Sequence, residues 1–199
     1  MTPSSNLPST YLITPEPPRG KPLTDFMADL DSSLAAGVRL VQLRAKSVTG
    51  VAYIELAEQA LRYCRRYGAR LLLNSPPVIA QALQADGVHL TSTDLMRLAA
   101  RPLPNDFLVS VACHDVRQIQ RANEIGADLL TISPVLPTKT HTTASPLGWE
   151  GFRALTSLTT IPAYALGGMS TETLSEALDA DGHGIAAIRS LWKGVVETS

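Results

Sequence analysis

Short runs of consecutive apolar residues recur along this chain at roughly 25-residue intervals, separated by longer stretches in which apolar positions fall three and four apart. The runs predict strands over 11–14, 40–43, 70–73, 87–90, 108–112, 128–132, 162–166 and 184–188, and the helical period is clearest over 51–67, 116–125 and 171–178. Within the runs apolar residues do not alternate with polar ones, so each strand is buried on both faces, as in a parallel sheet covered by its own crossover helices. Several helical stretches stop at a glycine just before the next run, as at Gly37, Gly68 and Gly126, where a left-handed residue turns the chain back. Eight βα modules in succession predict an α/β fold of the closed (β/α)8 TIM-barrel type in preference to an open doubly wound sheet. Residues 1–10 read as a flexible leader, 11–194 as a single barrel domain and 195–199 as a tail.

Composition narrows the partners. The chain has 199 residues, of which 45% are hydrophobic, enough for one sizeable core. Its 17 basic and 18 acidic residues leave a formal net charge of −1, which argues against nucleic acid or an anionic membrane as partner. Cys64 and Cys113 have neither CxxC nor zinc-like spacing and suit free thiols in a reducing compartment. The first residues lack the features of a signal peptide, and no apolar run approaches the ~18 residues of a membrane span, so the expectation is a cytoplasmic protein.

In a barrel of this type the functional face is built from strand C-termini and the loops that follow them. The second strand ends Leu40-Val41-Gln42-Leu43-Arg44-Ala45-Lys46, and side chains at every second position share a face, so Gln42, Arg44 and Lys46 gather one amide and two cations at the strand mouth. A guanidinium fork beside a compact ammonium suits phosphate or pyrophosphate, although a strand running into a solvated loop has the same look. The other strand ends carry Asn74, Asp94, His114, the loop 134–147, Gly167-Gly168 and Arg189. Gly167 and Gly168, placed before a helix, read as a phosphate cup or as a simple turn. Thr138, Thr140 and His141 lie in a loop long enough to bind a ligand; they either donate to phosphate oxygens or belong to a proline-stiffened solvated connection. Asp94 reads both as a helix-capping residue and as a carboxylate ligand. The four histidines have no zinc spacing.

At these residues the chain resembles the thiamine-phosphate synthase and thiazole tautomerase family. The similarity runs in order through Val41–Lys46, Asn74, Gly87-Val88-His89-Leu90 with Asp94, His114, Gly126-Ala127-Asp128, Pro134–Thr138, Ala165–Gly168 and Gly184-Ile185-Ala186. The resemblance implies an enzyme that joins hydroxymethylpyrimidine pyrophosphate to thiazole phosphate and releases pyrophosphate. It assigns Arg44, Lys46 and His141 to catalysis and pyrophosphate neutralisation, Thr138 and Thr140 to the same anion, and Gln42 and Asn74 to the pyrimidine side. Gly167, Gly168 and the strand-eight end with Arg189 fall to the thiazole phosphate, and Asp94 to a magnesium ion.

Four positions depart from that pattern. Ser75 stands where synthases have a second aspartate, His141 where they have a lysine, and Ala112 where they have a serine. Pro134 stands where the tautomerase branch has its catalytic histidine. The runs Ser133-Pro134-Val135, Leu147-Gly148-Trp149 and Ile188–Trp192 are most similar to the synthase-like domain that some bacteria carry behind a Nudix hydrolase module. Beside synthase-type coupling, this leaves a tautomerase acting on thiazole phosphate and a non-catalytic phosphate-ligand-binding partner domain as alternatives. The implied partners are phosphorylated small molecules, with a Nudix hydrolase module and a homodimer considered beside them.

Overall fold

The computed structural model describes residues 6–18, 22–138 and 145–194. Eight parallel strands pair in chain order and β1 closes onto β8: β1 (Thr10–Ile13), β2 (Leu40–Leu43), β3 (Arg70–Leu73), β4 (Gly87–Leu90), β5 (Leu108–Cys113), β6 (Leu129–Ile132), β7 (Ala163–Leu166) and β8 (Gly184–Ala187). The helices are α1 (Leu23–Ala35), α2 (Gly50–Arg66), α3 (Pro77–Ala82), α4 (Ser92–Arg97), α5 (Val116–Glu124), α6 (Gly148–Thr156) and α7 (Leu174–Asp179). This is the closed barrel that the recurrent apolar runs predict, with strands two to four at the expected bounds, strand one displaced by one residue and the rest differing by one residue at one end. The helix expected over 171–178 differs: it opens as a 3-10 turn, Thr171–Thr173. The Thr173 hydroxyl donates back to the Ser170 carbonyl (2.9 Å) and accepts from the Ser170 N–H (3.1 Å), which tightens the first turn.

Strand parity explains the unbroken apolar runs. Leu12, Val41, Leu43, Leu71, Leu73, Val88, Val109, Leu130, Ile132 and Ile185 pack outward against the helices, while Tyr11, Ile13, Leu40, Leu72, Leu108, Leu129, Tyr164 and Ala186 fill the interior. Helix α2 answers with Tyr53, Leu56, Ala57, Ala60, Leu61 and Cys64, buried at three- and four-residue spacing. Cys64 and Cys113 are free and buried; burial, with a nearby aspartate in each case, pushes both thiols up to about 12. Among the described residues, no helix is long and apolar enough to cross a membrane.

The N-terminal face is closed by fixed contacts. The Tyr11 and Tyr164 rings meet edge to face at 5.6 Å, and the Tyr164 hydroxyl donates to the Pro8 carbonyl (2.6 Å). His183 Nε2 bonds the Leu7 carbonyl (2.8 Å), and Ile185 N–H donates to Ser9 (2.9 Å). The described part of the expected leader is therefore a plug: Leu7 is buried and Thr10 already belongs to β1. Residues 1–5 and the expected tail 195–199 lie outside the described residues. Asp128 is a structural staple at this end, accepting from Val109 N–H (2.7 Å) and pairing with Arg101 at 2.7 Å.

Candidate functional site

A cavity of about 500 Å³ opens at the strand C-termini. On its β2 side, Gln42 is buried, Arg44 is half-buried and Lys46 is exposed, with Gln42, Arg44 and Lys46 all lining the cavity. Arg44 is fixed from two directions. Its backbone N–H donates to Thr14 Oγ1 (2.9 Å), whose hydroxyl donates to the Arg44 carbonyl (3.3 Å), and its guanidinium lies 3.7 Å from the Glu16 carboxylate. Partial burial pushes the Glu16 carboxyl up, but hydrogen bonds from the Ser47 side chain and from the Ser47 and Lys46 amides, with the Arg44 charge, outweigh that and hold it below its ordinary value. Glu16 thus holds Arg44 in place while leaving donors of the guanidinium for an anion.

Below the cations runs a hydrogen-bonded floor. Gln42 Nε2 donates to the Tyr11 hydroxyl (3.3 Å), Tyr11 donates to Ser110 Oγ (3.5 Å), and Ser110 Oγ meets His89 Nδ1 at 2.8 Å. With each hydroxyl donating onward, Ser110 delivers its proton to Nδ1 and the neutral imidazole keeps its own on Nε2. Burial, with the Arg44 charge adding to it, pushes His89 down to about 3, so the ring is neutral at physiological pH. Asn74 Nδ2 donates to the His89 carbonyl (3.1 Å), joining β3 to this floor. His89 and Ser110 were not among the expected site residues. Their signal was present: each is a polar residue at an inward position of an otherwise apolar strand.

The β6–β8 side is shaped by backbone. Gly167 and Gly168 have φ of +99° and +70°, a region that disfavours side chains, and the loop after β6 packs directly on them. Val135 N–H donates to the Leu166 carbonyl (2.9 Å) and Leu136 N–H to the Gly167 carbonyl (3.1 Å). A Cβ on Gly168 would stand 2.8 Å from Leu136 Cβ and 2.9 Å from the Pro137 carbonyl oxygen, so glycine here is what lets the two loops meet. Thr138, Gly167, Gly168 and the exposed Arg189 all line the cavity, and Ser190 Oγ ties the end of β8 to the Met169 carbonyl (2.9 Å). The helix expected after β7 is present, opening as the 3-10 turn and continuing as α7. A single turn closed by Trp192 N–H to Ile188 (3.1 Å) follows Arg189. His114 sits on the rim with Nδ1 bonded to the Ser133 carbonyl (2.8 Å).

The carboxylate assigned to magnesium has another occupation. Thr91 is the N-cap of α4 and accepts from Asp94 N–H (3.2 Å), while its hydroxyl donates to the Asp94 carboxylate at 2.6 Å. Asp94 is exposed and is not part of the cavity lining. Ser75, in place of the second aspartate, directs its hydroxyl at the Pro76 carbonyl (3.4 Å). Among the described residues no three or more His, Cys, Asp or Glu side chains gather in a way that could hold a metal. These side chains do not fit a protein-built magnesium site, which ordinarily uses one or two free carboxylates. Thr140 and His141 lie outside the described residues.

Residues 10–191 match the family described as thiamine monophosphate synthase. The chain is 36% identical over 182 residues to the thiamine-phosphate synthase of Thermus thermophilus, covering 90% of this chain and 86% of that one. It is 35% identical over 161 residues to the thiamine-phosphate synthase of Methanospirillum hungatei, covering 80% and 78%. Among solved structures, the thiamine phosphate pyrophosphorylase of Pyrococcus furiosus superposes with a TM-score of 0.73 at 26% identity, covering 90% of this chain and 85% of that one. A closed eight-stranded barrel, a cationic strand-two mouth and similarity along nearly the whole chain lead to one conclusion: the chain belongs to the thiamine monophosphate synthase family.

Proposed function

We propose that this barrel couples hydroxymethylpyrimidine pyrophosphate to thiazole phosphate, yielding thiamine phosphate and pyrophosphate. The observation that carries the reading is the stacking of Arg44 and Lys46 directly above a neutral, hydrogen-bonded floor of Gln42, Asn74 and His89 in one cavity. The bond from the pyrimidine methylene carbon to the pyrophosphate oxygen breaks with both electrons leaving on oxygen, and the thiazole nitrogen donates its lone pair to that carbon. Arg44 and Lys46 neutralise the departing anion. A neutral His89 adds no positive charge beside the transient pyrimidine-centred cation, whereas an imidazolium there would repel it. Gly167, Gly168 and Arg189 hold the thiazole phosphate across the cavity, which aligns the two reactants.

Thr138, Thr140 and His141 complete the pyrophosphate side in this reading. An imidazole, with an ordinary pKa of about 6.5, serves there as a cation only at low pH. His141→Lys is therefore expected to raise coupling more at pH 8 than at pH 6, and an equal effect at both pH values would remove His141 from this role. Incubation with both substrates and magnesium is expected to give thiamine phosphate and pyrophosphate in equal amounts. Absence of product where a known synthase turns over would refute the coupling reading.

A tautomerase acting on thiazole phosphate is the second reading. His114 favours it, because Nδ1 is engaged by the Ser133 carbonyl and Nε2 has no hydrogen bond among the described residues, leaving it to move a proton. That reading requires metal-independent turnover of thiazole phosphate alone, abolished in His114→Gln. A binding role beside a Nudix hydrolase module rests on the runs 133–135, 147–149 and 188–192, and requires ligand binding with no turnover of either kind.

A further inference from the structure

The even-numbered strands contribute Gln42, His89, Thr131 and Ala186 to the cavity wall, one inward side chain each, in the manner by which alternate strands build a layer of such a barrel. Three of the four are polar. Gln42 is tied to Tyr11 and His89 to Ser110, each a hydroxyl supplied by an odd-numbered strand. Thr131 is different: it is completely buried, and its Oγ1 has no hydrogen-bond partner. Leu130 and Ile132 pack outward, so strand parity turns Thr131 inward. Its ladder neighbours are Ala112 on β5, which has no polar side-chain atom, and Tyr164 on β7, whose hydroxyl is committed to Pro8 at the far end of the barrel. Buried polar groups in folded proteins are almost always paired, so an unpaired one in a cavity wall calls for a partner, which an ordered water or a bound ligand atom can supply.

We propose that Thr131 is a substrate-recognition residue whose hydroxyl hydrogen-bonds a ring nitrogen or ring amino group of the pyrimidine. The inference rests on the coupling reading above for the identity of the ring. The choice between the two heterocycles follows from their chemistry. The thiazole nitrogen must keep its lone pair free to attack, so a hydroxyl donating to it would disarm the nucleophile. The pyrimidine nitrogens form no new bond in the reaction, and their hydrogen bonds to water are lost on entry and must be replaced. Geometry agrees: Gln42 lies two residues below Arg44 on the same strand, so a ring whose pyrophosphate meets Arg44 extends down toward the layer that contains Thr131. Ala112 and Ala186 leave the space through which it reaches that layer.

The test is Thr131→Val, which removes the hydroxyl and keeps the branched shape. Because the hydroxyl has no protein partner, the variant is expected to unfold at the same temperature as the parent or higher. Its KM for hydroxymethylpyrimidine pyrophosphate is expected to rise about tenfold with kcat and the KM for thiazole phosphate unchanged, the pattern of lost ground-state binding to one substrate. Thr131→Ser, which keeps the hydroxyl, is expected to restore binding. Calorimetry with hydroxymethylpyrimidine monophosphate, which lacks the pyrophosphate leaving group, gives the same contrast without turnover. Weakening confined to the pyrimidine ligand supports the inference. Equal affinity in parent and Thr131→Val, weakening of thiazole phosphate instead, or a lowered unfolding temperature would each overturn it. If the parent protein forms no thiamine phosphate yet binds the pyrimidine in a Thr131-dependent way, the coupling reading falls and the recognition role stands.

Discussion

The two halves of the cavity mouth are built by different means. On the β2 side the charge is carried by side chains, Arg44 and Lys46, with Glu16 steadying the guanidinium 3.7 Å away. On the β7–β8 side the wall is largely backbone, shaped by two glycines at positive φ that the β6 loop presses upon. The division suits the proposed reaction. The pyrophosphate gains charge as its bond breaks and needs mobile-range cations, whereas the thiazole phosphate keeps its charge throughout and needs only a fixed seat. Loss of a cation should therefore be felt in the transition state, and loss of a glycine in binding and in the fold.

The largest effect is expected at Arg44. Arg44→Ala should lower kcat/KM for coupling by about 10²–10³, on the order of 3–4 kcal/mol of transition-state stabilisation, mainly through kcat. Steady-state kinetics with the pyrimidine substrate varied checks this; a change in KM alone would place Arg44 in ground-state binding and blur the contrast between the halves. Next comes Gly168→Ala. Its Cβ would collide with Leu136 and Pro137 at a φ of +70°, so the variant should lose about 1–3 kcal/mol of stability in urea unfolding and raise the KM for thiazole phosphate more than that for the pyrimidine.

A subtler consequence attaches to the floor that separates the halves. His89 is held down to about 3, well below the ordinary imidazole value of about 6.5. Between those values the unfolded chain binds a proton at this site that the folded chain refuses. The contribution of His89 to stability is thus complete above about pH 6.5 and is lost as pH falls toward 3, at up to about 1.4 kcal/mol per pH unit. Urea unfolding at pH 4 and pH 7 should show a smaller acid-induced loss in His89→Gln than in the parent, and equal losses would mean the ring is protonated in the folded protein or titrates elsewhere.

The same comparison shows how much of the molecule could be read from its chain. The barrel was legible because each strand is buried on both faces, and an unbroken apolar run such as Leu71-Leu72-Leu73 has no other simple solution. The side-chain half of the mouth was legible as well, since Gln42, Arg44 and Lys46 continue one strand at a period of two. The backbone half was only partly so. Gly167-Gly168 could be found, but its reason is the approach of the β6 loop, a contact between segments some thirty residues apart that no local pattern encodes. His89, Ser110 and Thr131 were overlooked because a single inward polar residue looks like any tolerated core position until its neighbours around the barrel are known. Asp94 had two local readings, helix N-cap or metal ligand; the cap is instead Thr91, three residues earlier, and its hydroxyl donates to the Asp94 carboxylate at 2.6 Å.

The smallest effect is expected there. Asp94→Asn should cost under about 1 kcal/mol, from the weakened cap of α4, and leave coupling within about twofold of the parent across magnesium concentrations. A loss of activity that added magnesium rescues would instead make the carboxylate a ligand.

The division of labour across the mouth is tested most directly by calorimetric titration of pyrophosphate and of thiazole phosphate, separately, into the parent protein, Arg44→Ala and Gly168→Ala. A crossed pattern is expected: Arg44→Ala loses at least tenfold in affinity for pyrophosphate and keeps thiazole phosphate, while Gly168→Ala keeps pyrophosphate and loses thiazole phosphate. If both variants weaken the same ligand, or each weakens both equally, the mouth holds a single shared anion site and the two-seat account is wrong.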